Sequence, residues 1–181
     1  MYDLTPRIII EPHIDRHTDQ SIRRGLCVCF PADVEFYSKT RAWNQYEPSI
    51  TAVVERDGEV VAHAAAIDTE IRVGTATVRV AGIMNVFVLP GYRQQGLATE
   101  VIQAALEEAE RQGFDMGLLF CESRLEPVYR NGGWVRITGR CITRVVGGRE
   151  LPLRENIISM YYPLRERTLP TGDIHLRGNE W

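Results

Sequence analysis

Lysine is almost missing from this chain: Lys39 stands alone against 20 arginines among 181 residues. A Schiff-base lysine or a phosphate-loop lysine therefore has almost no candidate. Cysteine is sparse, at positions 27, 29, 121 and 141, with no Cys-x-x-Cys pair. The four histidines (13, 17, 63, 175) do not cluster with them, so no metal site is expected and the thiols read as reduced and mostly buried. A basic excess is absent too. The net charge is −3, which argues against nucleic acid as a partner. No apolar run reaches the roughly 18 residues of a membrane span. The opening Met1-Tyr2-Asp3-Leu4-Thr5-Pro6-Arg7 lacks a basic-then-apolar leader pattern, and a cytoplasmic location is the expectation. No repeat or low-complexity stretch occurs. What remains is 44% hydrophobic and 25% charged residues, the balance of one globular domain over 1–181.

Strand signals come first. Arg7–Glu11 and Ser49–Glu55 are apolar and β-branched, and Arg56-Asp57-Gly58-Glu59 is a hairpin turn leading into Val60–Arg72. Gly74 turns the chain into a further strand, Thr75–Val88, whose end is apolar throughout, as a strand covered on both faces would be. A helix is expected from about Ser21 to Cys29, closed by Pro31. A longer one places Leu97, Ala98, Val101, Ile102, Ala105 and Ala109 on one face and stops at Gly113. Phe114–Phe120 reads as a buried strand, Glu126–Asn131 as a short helix, and Trp134–Ile137, Cys141–Val146 and Asn156–Tyr162 as strands. This order predicts an α/β (α+β) fold on a mixed sheet.

The informative stretch is Val86-Phe87-Val88-Leu89-Pro90-Gly91-Tyr92-Arg93-Gln94-Gln95-Gly96-Leu97-Ala98-Thr99. A buried strand meets a Pro-Gly turn and runs straight into a helix. The first turn of a helix carries amides without internal partners and a partial positive charge, so an anion is stabilised there. Gly96 and Ala98 would let a bulky diphosphate approach, with Arg93 beside it. A Walker loop would need Gly-Lys-Ser/Thr, and a dinucleotide fingerprint three spaced glycines after the first strand; neither is present. A plain strand-to-helix connection is the other reading of these residues.

The run Arg93-Gln94-Gln95-Gly96-Leu97-Ala98 resembles the Arg/Gln-x-x-Gly-x-Gly/Ala signature of the GNAT superfamily of acyl-CoA-dependent N-acetyltransferases, and Val86 to Arg93 matches the pattern preceding it. The resemblance implies a GNAT fold, with a mostly antiparallel mixed sheet of about seven strands and flanking helices. It implies acetyl-CoA as co-substrate, its diphosphate on the amides of Gln94, Gln95, Gly96, Leu97, Ala98 and Thr99 beside Arg93, and its pantetheine arm along Val86, Phe87 and Val88. Tyr129-Arg130-Asn131-Gly132-Gly133-Trp134 is similar to the family's Tyr-x-x-x-Gly-Phe/Trp motif. That similarity implies Tyr129 as general acid to the departing thiolate, a role a phenol protonated at neutral pH can fill. Family members often carry a Glu on the fourth strand to prepare the amine. Asn85 stands in the corresponding place, where it can at best hold a water, and Glu122 is the substitute candidate. No cysteine is well placed as an acyl carrier, although Cys121 is the one to watch. Direct attack through a ternary complex follows.

The ending Gly178-Asn179-Glu180-Trp181 resembles the termini of the aminoglycoside 2′-N-acetyltransferases and of the rhizobial nodulation N-acyltransferases, which also share Ala62-His63-Ala64-like strands. Asp33 matches an acidic position of the first group. Asp33, Glu180 and Trp181 are thus the expected acceptor residues, with Glu35 completing an anionic cleft. Asn85 for Glu and Asn179 for Asp depart from the pattern and weaken the antibiotic reading. Phe36, Tyr37, Trp43 and Tyr46 are either an acceptor wall or plain core. His63 is expected to be structural, and Arg136, Arg140, Arg144, Arg149 and Arg154 a solvated face. The expected activity is acetyl-CoA-dependent N-acetylation of a small-molecule primary amine, an amino sugar or aminoglycoside among the candidates. A longer-chain nodulation-type N-acyltransferase and a non-catalytic acyl-CoA-binding module are the alternatives. A homodimer is compatible with the family.

Overall fold

The computed structural model describes residues 5–165 and 168–181; the first four residues of the stretch weighed as a leader lie outside them. The chain forms two compact units, Met1–Ile67 with Met84–Glu108, and Asp68–Ile83 with Ala109–Trp181. Two long strands, β3 (Glu59–Val73) and β4 (Ala76–Val88), and the helix α3 (Leu97–Arg111) each contribute to both.

In the first unit, β1 (Arg7–Ile10) pairs antiparallel with β2 (Ile50–Arg56), which pairs antiparallel with the first half of β3. Asp57 and Gly58 at φ of 51° and 80° make the tight hairpin turn that the Asp-Gly pair predicts. Helix α1 begins at Arg16, five residues before its apolar periodicity does, and ends at Cys29. Its polar first turn is held by the Asp15 side chain, which accepts the Thr18 N–H at 2.9 Å. Ile22 and Leu26 of α1 join Ile9, Tyr37, Val53, Val60 and Phe87 in one buried cluster. At Gly25 the helix lies so close to β4 that a Cβ would sit 2.3 Å from the Phe87 ring, so only glycine fits. Between Pro31 and Tyr37 the chain makes a 3-10 turn and the four-residue α2 (Val34–Tyr37).

In the second unit the strand neighbours run β6-β9-β5-β4-β3-β10-β7-β8. The central strands are β5 (Met116–Glu122), parallel to β4 from Val80 to Ile83, and β9 (Ile157–Pro163), antiparallel to β5 along its full length. Helix α3 is the crossover that the parallel β4–β5 pair requires, and Gly113, at φ 82°, ends it. The six-residue α4 (Glu126–Asn131) follows β5. The remaining strands are short: β6 (Val135–Arg136), β7 (Ile142–Val146), β8 (Arg149–Pro152) and β10 (Ile174–Leu176).

The mixed, mostly antiparallel sheet with flanking helices is as expected, but it holds ten strands among the described residues rather than about seven. The unexpected ones are β8 and β10. The first is a polar, exposed edge strand ending in Pro152, reached through Gly147-Gly148, both at positive φ. The second is three residues long and sits between β3 and β7. Neither carries enough alternation to be read locally.

Candidate active site

In the first unit β4 ends at Val88, and the chain makes a single 3-10 turn over Pro90–Tyr92 before Arg93 extends. Gln94 and Gly96 then adopt positive φ, 62° and 82°, and α3 starts at Leu97. Among the described residues, the six successive amide N–H groups from Gln94 to Thr99 have no hydrogen-bond partner; the first helical bond is Glu100 N–H to the Gly96 carbonyl at 3.2 Å. Positive-φ residues alternating with ordinary ones turn consecutive amides toward one concavity, a shape that receives anions. The helix start adds its partial charge. Space in front of Gly96 is open, since a Cβ there would have only the tip of Glu100 within reach, at 4.0 Å.

Arg93 turns back rather than outward. Its Nε donates to the Val88 carbonyl at 3.1 Å, and Nη2 lies 4.0 Å from the Cys29 sulfur. The Cys29 thiol, 3.6 Å from the same carbonyl, is pushed up by burial and drawn back by the Arg93 charge. The Val88 carbonyl, expected to be open to a pantetheine arm, is thus already engaged by Arg93 and Cys29.

Asn85 sits in the left-handed region, φ 55°, a conformation its short amide tolerates better than most side chains. Both ends of its side chain are engaged. Oδ1 accepts the Tyr37 hydroxyl at 2.9 Å, and Nδ2 donates to the Arg41 carbonyl at 2.7 Å. Asn85 therefore ties two segments to the end of β4. Its own carbonyl lies 2.8 Å from His63 Nδ1. A carbonyl only accepts, so Nδ1 carries the proton and Nε2 is a bare acceptor, with no partner among the described residues. His63 is fully buried and stacks on Phe87 with ring centroids 5.3 Å apart. Burial pulls its pKa down to about 3, the Asn85 carbonyl opposes this, and the Arg41 charge adds to it. His63 is neutral at any ordinary pH, as its structural reading expects. Arg41, which local sequence gives no reason to single out, is 9% exposed and clamped by Glu11 at 2.8 Å and Asp19 at 2.6 Å. Of the aromatic segment Tyr37 is core, while Phe36 and Trp43 pack against it half-buried: Trp43 stacks on Tyr37 at 5.6 Å and meets Phe36 edge-on at 5.4 Å. Asp33 lies half-buried at the end of the Pro31–Asp33 turn.

In the second unit Tyr129 lies one turn into α4, its ring edge-on to Trp134 at 6.2 Å. Gly133, at φ 89°, lets the chain turn so that the Trp134 amide returns to the Tyr129 carbonyl at 3.2 Å. This is the physical content of the Tyr-x-x-x-Gly-Trp spacing. Burial, with a contribution from Cys121, raises the Tyr129 hydroxyl to about 12. Cys121 is itself raised to about 11 by burial and then by Glu126 and Glu122. It stays a thiol, which makes it a poor acyl acceptor. Glu122 is exposed and paired with Arg124, which holds it below the usual carboxylate range; it stays ionised and is a weak base near neutrality.

The last residues are packed. Trp181 is 6% exposed, its indole N–H reaching the Leu118 carbonyl at 3.4 Å and its ring edge-on to Phe120 at 4.9 Å. Glu180 is 2% exposed and answered by two guanidinium groups, Arg144 at 3.2 Å and Arg154. Two expectations change. Glu180 is not an open anionic group that collects cations, and Arg144 and Arg154 are not simply part of a solvated face. A buried carboxylate needs paired cations, but nothing near Arg144 or Arg154 in the sequence signals that they supply them.

The profile of the acetyltransferase (GNAT) domain matches residues 17–137. An aminoglycoside 2'-N-acetyltransferase of Mycolicibacterium fortuitum is 25% identical over 131 residues, 72% of this chain; the match spans 65% of that relative's length, just under two thirds. Among solved structures, the GNAT family N-acetyltransferase YhbS of Escherichia coli, in complex with CoA, superposes with a TM-score of 0.67 at 17% identity, covering 98% of this chain and 92% of that one. An acyl-CoA N-acyltransferase of Pseudomonas aeruginosa gives 0.60 at 17% identity over 88% and 99%. At such identities the structures speak for the fold. No helix of the described residues is long and apolar enough to cross a membrane.

Proposed function

Because the chain belongs to the GNAT family of acetyltransferases, we propose that it carries an acetyl group from acetyl-CoA to the primary amine of a small molecule. The observation that carries this is the row of six unpartnered amides from Gln94 to Thr99. They suit a diphosphate in charge, in spacing and in the open space before Gly96. Arg93 steadies the corner by holding the Val88 carbonyl.

Tyr129 fits the role of donor to the leaving group. Raised to about 12, its hydroxyl keeps its proton at working pH and is present to donate a hydrogen bond to the thiolate as the carbon–sulfur bond breaks. The amine nitrogen forms the new bond to the acetyl carbon and gives up a proton. Neither Asn85, which cannot take a proton, nor the low-pKa Glu122 suits that task, so water is the acceptor in this reading. Asn85 instead holds the end of β4 through Tyr37 and Arg41. An amino-sugar acceptor draws support from the relative in Mycolicibacterium fortuitum.

The test is thiol release from acetyl-CoA across an amine panel, with coenzyme binding followed by calorimetry. Amine-dependent release is expected. A protein that does not bind the coenzyme at millimolar concentration would overturn the reading.

A further inference from the structure

Beside α4, in the second unit, lies an open cleft of about 490 Å³. Its walls come from the end of β5 (Glu122), from Ser123 and Arg124, and from the loop before β9 (Arg154, Glu155, Asn156). The size suits a small ligand. The chain that forms one wall runs directly into α4, so Tyr129 follows one turn later. The cleft wall therefore leads into the helix that carries the group proposed as the acid.

Its charges alternate in kind. Glu122 is balanced by Arg124. Arg154 is balanced from behind, where Glu180, 2% exposed, takes its Nε. The Arg154 side chain is 55% exposed even so. Among the described residues neither Nη of Arg154 donates a hydrogen bond, and Glu155 enters no ion pair. The wall thus offers a fork-shaped cation, held in place by a buried carboxylate, and an unmatched anion on the adjacent residue. A guanidinium fork matches a carboxylate in geometry, and holding it in advance lowers the cost of binding.

We propose that this cleft receives the acceptor, and that the acceptor is a small zwitterion of the free amino-acid type, with a carboxylate close to the primary amine. The carboxylate pairs with Arg154 and Arg124, and the ammonium approaches along Glu155 and Glu122 before it loses its proton. The proposal rests on the acetyl-transfer reading above.

The experiment compares thiol release by the full chain with three kinds of acceptor. These are α-amino acids, the amines left when their carboxylates are removed, and an aminoglycoside. For at least one amino acid, kcat/KM should exceed that of its decarboxylated partner by about tenfold or more, the value of one charge-assisted hydrogen bond. Arg154→Gln should shrink that ratio toward unity through the KM of the amino acid. Arg124→Gln, whose partner Glu122 is exposed, should narrow it as well and carries the test if loss of Arg154 unfolds the protein. Equal rates within every pair, preference for the aminoglycoside, or an unchanged ratio in folded variants would overturn the proposal while leaving acetyl transfer standing. No release with any acceptor would instead bring down the acetyl-transfer reading, and this one with it.

Discussion

At the scale of single residues, chemistry is decided by which groups keep their protons. Tyr129 keeps its own up to about pH 12, so kcat should show no alkaline limb in the ordinary phenol range near 10. Tyr129→Phe should lower kcat about a hundredfold, the usual worth of a positioned acid, with the KM for acetyl-CoA unchanged in the thiol-release assay. His63 works in the opposite direction. Its folded pKa, about 3, lies below the 6.5 of a free imidazole. Above pH 6.5 both folded and unfolded chains hold it neutral. As pH falls from 6.5 toward 3 only the unfolded chain takes up the proton, and stability is lost across that window. The loss is about 1.4 kcal/mol per pH unit, or about 3 °C in melting temperature per unit for a chain of this size. Circular-dichroism melts should show this acid limb, and His63→Phe should flatten it. The turn that brings Trp134 back to Tyr129 was legible because Gly133 and Trp134 follow Tyr129 within five residues. Arg41 was not, because Glu11 and Asp19 reach it from 30 and 22 residues away.

At the scale of elements, the turn from β4 into α3 carries the proposed diphosphate site on backbone geometry alone. Gly96→Ala would meet no steric obstacle, only the left-handed φ of 82°. It should cost about 1 kcal/mol of stability, the penalty for a side chain in that region, measurable by urea unfolding. If the neighbouring amides rotate out of register, one or two charge-assisted hydrogen bonds go with them, and acetyl-CoA should bind about tenfold more weakly by calorimetry. This loop could be read from its sequence because glycine, proline and arginine mark a local geometry. The hairpin turn at Asp57-Gly58 and the helix α4 were legible for the same reason. The start of α1 was not, since Arg16 to Gln20 carry no apolar stripe and the Asp15 cap alone fixes it. Nor was β10, whose three residues become a strand only because β3 and β7 offer it two edges. Edges supplied by distant strands leave no local trace.

At the scale of the whole molecule, the class of fold followed from the order of strands and helices, while the charge pattern of the candidate acceptor site did not. Glu180 reads in the sequence as an acid near a chain end; in the fold it is an interior anchor for two arginines. Trp181 likewise belongs to the interior. Trp181→Ala should cost about 3–5 kcal/mol, as other large-to-small core changes do, lowering the melting temperature by about 10 °C in a calorimetric scan.

The scarcity of lysine has a consequence of its own. An acetyl thioester is a reagent that any nearby unprotonated amine can consume, including those on the catalyst. Here the only lysine ammonium, Lys39, pairs with Glu35 at 3.2 Å, and the 20 arginines that stand where other chains carry lysine are guanidinium groups, which stay protonated and do not acylate. Prolonged turnover should leave at most one lysine acetylated, Lys39, by peptide mass spectrometry. Such a surface suits a protein that handles an electrophile at every cycle.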